Sequence, residues 1–272
     1  MSTSHNILSI AGTDPSGGAG IQADLKAFSA LGGYGMTVIT ALVAQTTTGV
    51  TEVHEVAPEF VTSQLDTLLA DVRVDAVKIG MLGTTGVIAA VAKAIDDYAL
   101  PNVVLDPVMV AKSGDRLLAT EAIEAVREEL LPRADLITPN IPEAAELLNV
   151  PPAADEASMA RQGEELLRLG PGRVLLKGGH LDGSSSVDLL LEPEGAARRL
   201  AAERVATNNT HGTGCTLSSA VAALRPQRPG WYEAVHEAKE YLTAALRHAD
   251  ELDVGHGKGP VHHFHAWWGG RG

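Results

Sequence analysis

The chain has 272 residues, of which 45% are hydrophobic and 20% charged, a globular composition long enough for one large α/β domain or two small ones. Lys+Arg 21 against Asp+Glu 34 leaves a net charge of -13, and no long basic run marks a nucleic-acid surface. A small polyanion can still bind, because local dipoles and one or two lysines can outweigh the global charge.

The single cysteine excludes an internal disulfide and a Cys-rich zinc site. No basic stretch followed by a signal-type apolar core opens the chain, and no run of about 18 apolar residues suggests a membrane span. The expected setting is the cytoplasm.

Asn6–Ile10 reads as a buried strand. The loop Gly12–Gly20 follows, then a helix over Ile21–Leu31 with Leu25, Phe28 and Leu31 near one face. The loop lacks the Gly-Lys-Ser/Thr of a P-loop and the spacing of a dinucleotide fingerprint. It reads as backbone that approaches a small ligand, with Asp24 on the first turns of the helix facing that ligand. A plain flexible connection is the alternative. Met36–Ala44 is the next strand, and it ends at Gln45. Ligands collect at the carboxyl ends of strands in open parallel sheets, so Gln45 can offer its amide there. A structural hydrogen bond would use it equally well. Val50–Val56 is a small edge strand and Pro58–Val72 a helix with an apolar face.

Asp75–Ile79 is a strand ending in Gly80–Gly83, and Thr84 caps a helix that runs to Tyr98. Asn102–Leu105 is a strand with Asp106 at its end. Lys112–Asp115 is a polar turn, Ala119–Leu131 a helix and Leu136–Thr138 a strand. Asn140 and Glu143 follow, an Asn-x-x-Glu that can hold a hydrated magnesium or simply start a helix. After a loop at Pro151–Asp155, Glu156–Leu169 is a helix. The strand Arg173–Lys177 ends on a lysine beside two glycines, either a phosphate partner or a surface residue. Val187–Leu191 and Glu203–Val205 are short strands around a turn at Pro193–Gly195.

Asn208–Leu224 is a glycine-rich loop turning into a buried helix from Thr216. Its amides around Gly212, Thr213, Gly214 and Cys215, with the helix dipole behind them, make an anion site. Trp231–Ala249 is a long amphipathic helix. The tail Gly259–Trp268 carries His262, His263 and His265; a metal there would need fixed ligand geometry and supporting partners. Residues 269–272 read as a disordered end.

Strands alternate with helices almost throughout. This predicts one α/β domain over residues 1–272, with a mostly parallel sheet covered by helices on both faces. The stretches Ala11–Lys26, Val38–Gln45, Lys78–Leu82, Lys112–Asp115, Thr138–Glu146, Lys177–His180, Asn209–Leu217 and Gly259–Trp268 then occur in one order. Together they resemble the hydroxymethylpyrimidine/phosphomethylpyrimidine kinases of thiamine biosynthesis, in the ribokinase-like superfamily. The resemblance implies a three-layer α/β/α sandwich and an ATP-dependent kinase using magnesium. It would phosphorylate 4-amino-5-hydroxymethyl-2-methylpyrimidine and then the monophosphate, as a homodimer.

The resemblance carries a pyrimidine pocket onto Gly12, Ala19, Asp24, Gln45, Met81 and Val108, with Gln45 reading the aminopyrimidine edge. It carries nucleotide binding onto Lys177 and Thr210, and magnesium or its waters onto Asp106 and Glu143. Gly212–Cys215 become the hole for the moving phosphoryl group. Many ribokinase-like enzymes have an aspartate where this chain has Cys215. A thiol lowered by a helix N-terminus could act there as base. Three rivals remain: a pyridoxal kinase, a cysteine hydrolase pairing Cys215 with His211, and a non-catalytic nucleotide sensor.

Overall fold

The computed structural model describes residues 4–109, 120–181 and 183–268. The expected Lys112–Asp115 turn and the expected end at 269–272 lie outside them. Ten strands are described: β1 His5–Ala11, β2 Gly33–Ile39, β3 Ala41–Thr46, β4 Gly49–Glu55, β5 Ala76–Ile79, β6 Val103–Leu105, β7 Leu136–Ile137, β8 Val174–Lys177, β9 Ser185–Leu191 and β10 Arg198–Glu203. The α-helices are α1 Gly20–Ala30, α2 Pro58–Leu69, α3 Thr85–Asp97, α4 Thr120–Ala125, α5 Ile141–Leu148, α6 Glu156–Leu167, α7 Thr213–Leu224, α8 Trp231–Arg247 and α9 His265–Trp268.

Eight strands form one sheet in the order β10-β9-β8-β7-β6-β5-β1-β2. β2, β1, β5, β6, β7 and β8 pair in parallel, while β9 and β10 return antiparallel at one edge. The parallel strands are buried on both faces, which is why they read as continuous apolar runs. Alternate residues feed different cores. Leu8, Val77, Val103, Ile137 and Leu176 join α2, α3, α5 and α6 on one side. Ile7, Ala76, Val104, Leu136 and Leu175 join α1, α7 and α8 on the other. This is the expected three-layer sandwich.

The expected strand Met36–Ala44 divides. At Thr40 the chain leaves the main sheet, and Ala41–Thr46 pairs with Gly49–Glu55 as a separate two-stranded ribbon. The Thr40 N–H still reaches Ala11 O, but its hydroxyl donates to Met81 O at 2.6 Å. Beyond it, burial alternates along β3: Ala41 and Val43 are buried, Leu42 and Ala44 exposed. That is the pattern of a half-covered ribbon, which a Val/Ile/Thr-rich run does not distinguish from a core strand. Gln45 therefore sits on this ribbon, not at the end of a sheet strand.

Two further boundaries differ. The expected helix Ala119–Leu131 is α-helical only to Ala125, then passes through a π turn and a 3-10 turn at Leu131–Arg133. Pro132 has no N–H to continue an α pattern. The last strand is Arg198–Glu203 and not Glu203–Val205, because the pairing with β9 brings Leu200 into the core.

Candidate active site

Two glycine loops meet above the sheet. In the first, between β1 and α1, Gly20 has φ +55, and a Cβ there would lie 2.5 Å from Gly12 O. In the second, Gly212 is the N-cap of α7, with φ 75 and ψ 13. A Cβ on Gly212 would enter the Gly18 carbonyl. Glycine at these two positions is what lets the loops touch. α7 starts at Thr213, three residues before the expected Thr216, so Thr213, Gly214 and Cys215 form its first turn. Amides of a first turn have no intrahelical acceptor, and they carry the positive end of the dipole.

Charge gathers in front of this turn. Lys177, at the end of β8, places Nζ 2.9 Å from Asp106 Oδ1 and 4.0 Å from Glu143 Oε2. The Thr138 hydroxyl also donates to Asp106 Oδ1, at 3.0 Å. A Cβ on Gly214 would sit 3.3 Å from Lys177 Nζ and 3.5 Å from Asp106 Oδ2, so the helix start abuts this pair. Burial would raise the Asp106 carboxyl, but Lys177 and Lys78 hold it below its ordinary value. Glu143 goes the other way: burial pushes it up to about 7 despite Lys177. Glu143 is also the capping-box residue of α5, accepting from Asn140 N at 2.7 Å while Asn140 Oδ1 accepts from Glu143 N at 2.9 Å. The expected helix-start role is thus observed, and the same residue lines the cleft.

The cleft measures about 1360 Å³. Lys177, Thr210 and Gly212–Cys215 line it beside Asp106, Asn140 and Glu143. Gly12, Ala19, Gln45, Met81 and Val108 line it too. Every expected site residue but one reaches this space.

The exception is Asp24. It is fully buried in α1, and it does not line the cleft. Its carboxylate accepts from Ser9 at 2.6 Å, Ser219 at 2.6 Å and Lys78 Nζ at 3.0 Å. Asp24 neutralises a lysine that is itself fully buried in β5. Cys215 departs from expectation as well. Burial pushes its thiol up to about 11, with Lys78 opposing and Asp24 and Asp106 adding to the rise. Burial outweighs the two influences that lower it, the Lys78 charge and a hydrogen bond from the Gly20 backbone, so the thiol is protonated at neutral pH. The hydrolase rival loses its dyad: His211 Nε2 is held by Asp14 Oδ2 at 2.7 Å, and the nucleophile would be a neutral thiol.

With that geometry in place, comparison with known proteins is decisive. The chain matches the phosphomethylpyrimidine kinase family over residues 14–262. It belongs to that family. A hydroxymethylpyrimidine/phosphomethylpyrimidine kinase of Escherichia coli is 59% identical over 263 residues, covering 97% of this chain and 98% of that one. A Bacillus subtilis pyridoxal kinase solved with ADP is 37% identical, with a TM-score of 0.89 and coverage of 97% and 99%. A Staphylococcus aureus pyridoxal kinase solved with AMP-PCP and pyridoxal is 30% identical, with a TM-score of 0.89 and coverage of 98% and 96%.

For this phosphomethylpyrimidine kinase family member, the sequence left Asp14, Lys78 and Thr138 without a role. Lys78 had a visible signal, a lysine inside the apolar run Ala76–Ile79. Asp14 had none. Its Oδ1 accepts from Ser16 N and Oγ, and its Oδ2 from Gly18 N, Ala19 N and His211 Nε2. Burial would raise this carboxyl, but His211 and Ser16 bring it down from 3.8 to about 2. The folded state therefore sheds this proton more readily than the unfolded chain. The resulting stability is present above the ordinary carboxylate value and is lost as pH falls toward 2. Asp14→Asn should cost about 2 kcal/mol near pH 7. Thermal unfolding checks this: the gap between variant and wild type should narrow from pH 5 to pH 3, and a constant gap would contradict it.

Proposed function

We propose that this chain is an ATP-dependent kinase. It phosphorylates the hydroxymethyl group of 4-amino-5-hydroxymethyl-2-methylpyrimidine, then phosphorylates the monophosphate to the diphosphate for thiamine biosynthesis. The observation that carries this reading is one cleft lined by two chemically different sets of groups. Lys177 and the first-turn amides of α7 line it, and so do Gly12, Ala19, Met81, Val108 and the Gln45 amide. Incubation with ATP, Mg²⁺ and the pyrimidine alcohol tests it. Monophosphate followed by diphosphate is expected, and ADP without phosphorylated pyrimidine would overturn it. A sensor would release no ADP with any alcohol acceptor. The pyridoxal kinase neighbours make pyridoxal the second acceptor to examine, in competition with the pyrimidine.

Phosphoryl transfer depends mainly on positioning and charge stabilisation. Lys177 and Thr210 serve the nucleotide phosphates. The amides of Gly214 and Cys215 face the charge that develops on the moving group. Asp106 and Glu143 suit magnesium: both offer hard oxygens, and the ion usually takes few carboxylates and keeps waters. Among the described residues, Asp106 Oδ2 has only a long 3.4 Å contact from Ser218. Magnesium bound there would neutralise phosphate charge. We assign the protein to the cytoplasm as a homodimer. No described helix is long and apolar enough to cross a membrane, and the ribbon leaves Leu42 and Val53 exposed. Sedimentation of the purified chain checks the dimer.

The attacking hydroxyl in a loose transition state keeps its proton until the new bond is well formed, so a strong resting base is not required. Cys215, protonated at neutral pH, then acts through its main-chain amide. Cys215→Ala should keep the fold and lose no more than about tenfold in kcat. A larger loss, with a wild-type rate that climbs steadily toward pH 10, would restore the thiolate as base.

A further inference from the structure

His211, Asp14 and Gln45 come from three different segments: the loop before α7, the first glycine loop and the β3–β4 ribbon. A register shift between Ala44 and Gln45 breaks the ribbon's pairing where Gln45 projects. Such bulges re-aim side chains. Gln45 Nε2 lies 3.2 Å from His211 Nε2, and that same ring nitrogen lies 2.7 Å from Asp14 Oδ2. Asp14 is buried and, held at about 2, is a carboxylate at neutral pH that can only accept. His211 Nε2 must therefore carry a proton and donate it to Asp14.

A ring N–H cannot also accept from an amide N–H. The Gln45 amide must turn about Cγ–Cδ, so that Oε1 becomes the second, longer acceptor of the ring N–H in a three-centre bond shared with Asp14, and the NH₂ takes the other side. The two ends of an amide are alike in shape, so bonding decides which faces where. We propose that His211, locked by Asp14, is the positioning residue that sets the polarity of Gln45. Gln45 then offers its NH₂ to an unprotonated ring nitrogen, while the second lone pair of Oε1 accepts from an amino group beside that nitrogen. This is the edge of a 4-aminopyrimidine and the reverse of a 4-oxo-pyrimidine edge, which presents N–H and C=O. The inference rests on the kinase reading above and adds how its acceptor is chosen.

The test compares the 4-amino alcohol with its 4-oxo and 4-deamino analogues as ATP-dependent acceptors. Wild type should favour the amino compound. His211→Phe removes the donor; its KM for the amino alcohol should rise by roughly tenfold, with kcat and the KM for ATP changed far less, and its preference over the analogues should shrink similarly. His211→Gln, which can still donate, should recover much of the preference. An unchanged preference in folded His211→Phe would overturn the proposal. If His211→Phe does not fold, ¹⁵N NMR of wild-type His211 decides it: a proton-bearing Nε2 is expected, and a bare Nε2 overturns it. Should wild type phosphorylate none of the three alcohols, the kinase reading itself fails, whatever His211 does.

Discussion

Gly212→Ala should abolish most activity and strongly destabilise the fold. Gly212 is the N-cap of the helix whose first turn faces the cleft, and its φ of 75 lies where an alanine is strained. The larger cost is steric. A Cβ would enter the Gly18 carbonyl and approach Ala19 Cα to 3.3 Å. Both are backbone, so neither can swing aside as a side-chain end would. The loops must separate, and the Asp14–His211 contact that joins them opens with the same motion. Strain plus overlap should cost at least about 3 kcal/mol. Displacing the Gly214 and Cys215 amides should lower kcat by at least about 100-fold. Gly49→Ala is the control: nothing lies within 4 Å of its added Cβ, and stability should change by under about 0.5 kcal/mol. Thermal melts and steady-state rates of the two variants check this. A folded Gly212→Ala with wild-type kcat would show that the helix start is not the anion hole.

The parallel strands were legible because burial on both faces leaves an apolar run, and the cleft because its residues follow those runs: Asp106 after β6, Asn140 after β7, Lys177 ending β8. What failed was information held between distant segments. Lys78 and Asp24 are 54 positions apart, and only the fold shows that each neutralises the other. On helix periodicity alone, Asp24 could point anywhere toward the loop. Asp14 and His211 are 197 positions apart and share no local pattern. For Cys215 the sequence shows the place and not the environment: its position in a helix start is visible in Gly212–Leu217, but the burial that raises its thiol is not. The ribbon holding Gln45 failed because β-propensity runs unbroken through Thr40.

Lys177→Met should be the most damaging substitution in the charge cluster. The ammonium is the one cation in hydrogen-bond contact with Asp106 among the described residues, and it also faces Glu143. Removing it leaves two buried carboxylates beside the space where further anions must bind, with Lys78 the remaining cation acting on Asp106 among the described residues. The kcat/KM for ATP should fall by roughly 1000-fold. Stability should also fall, by about 3 kcal/mol, because a buried carboxylate loses its partner. A purely structural lysine would give that second effect and, through misfolding, part of the first. Lys177→Met combined with Asp106→Asn separates the two roles. The double variant removes the uncompensated charge, so its melting temperature should return toward wild type. Its activity should not return, because nothing replaces the ammonium at the phosphates. If rate and stability recover together, Lys177 serves only as the counter-ion of Asp106, and the anion site reduces to the start of α7.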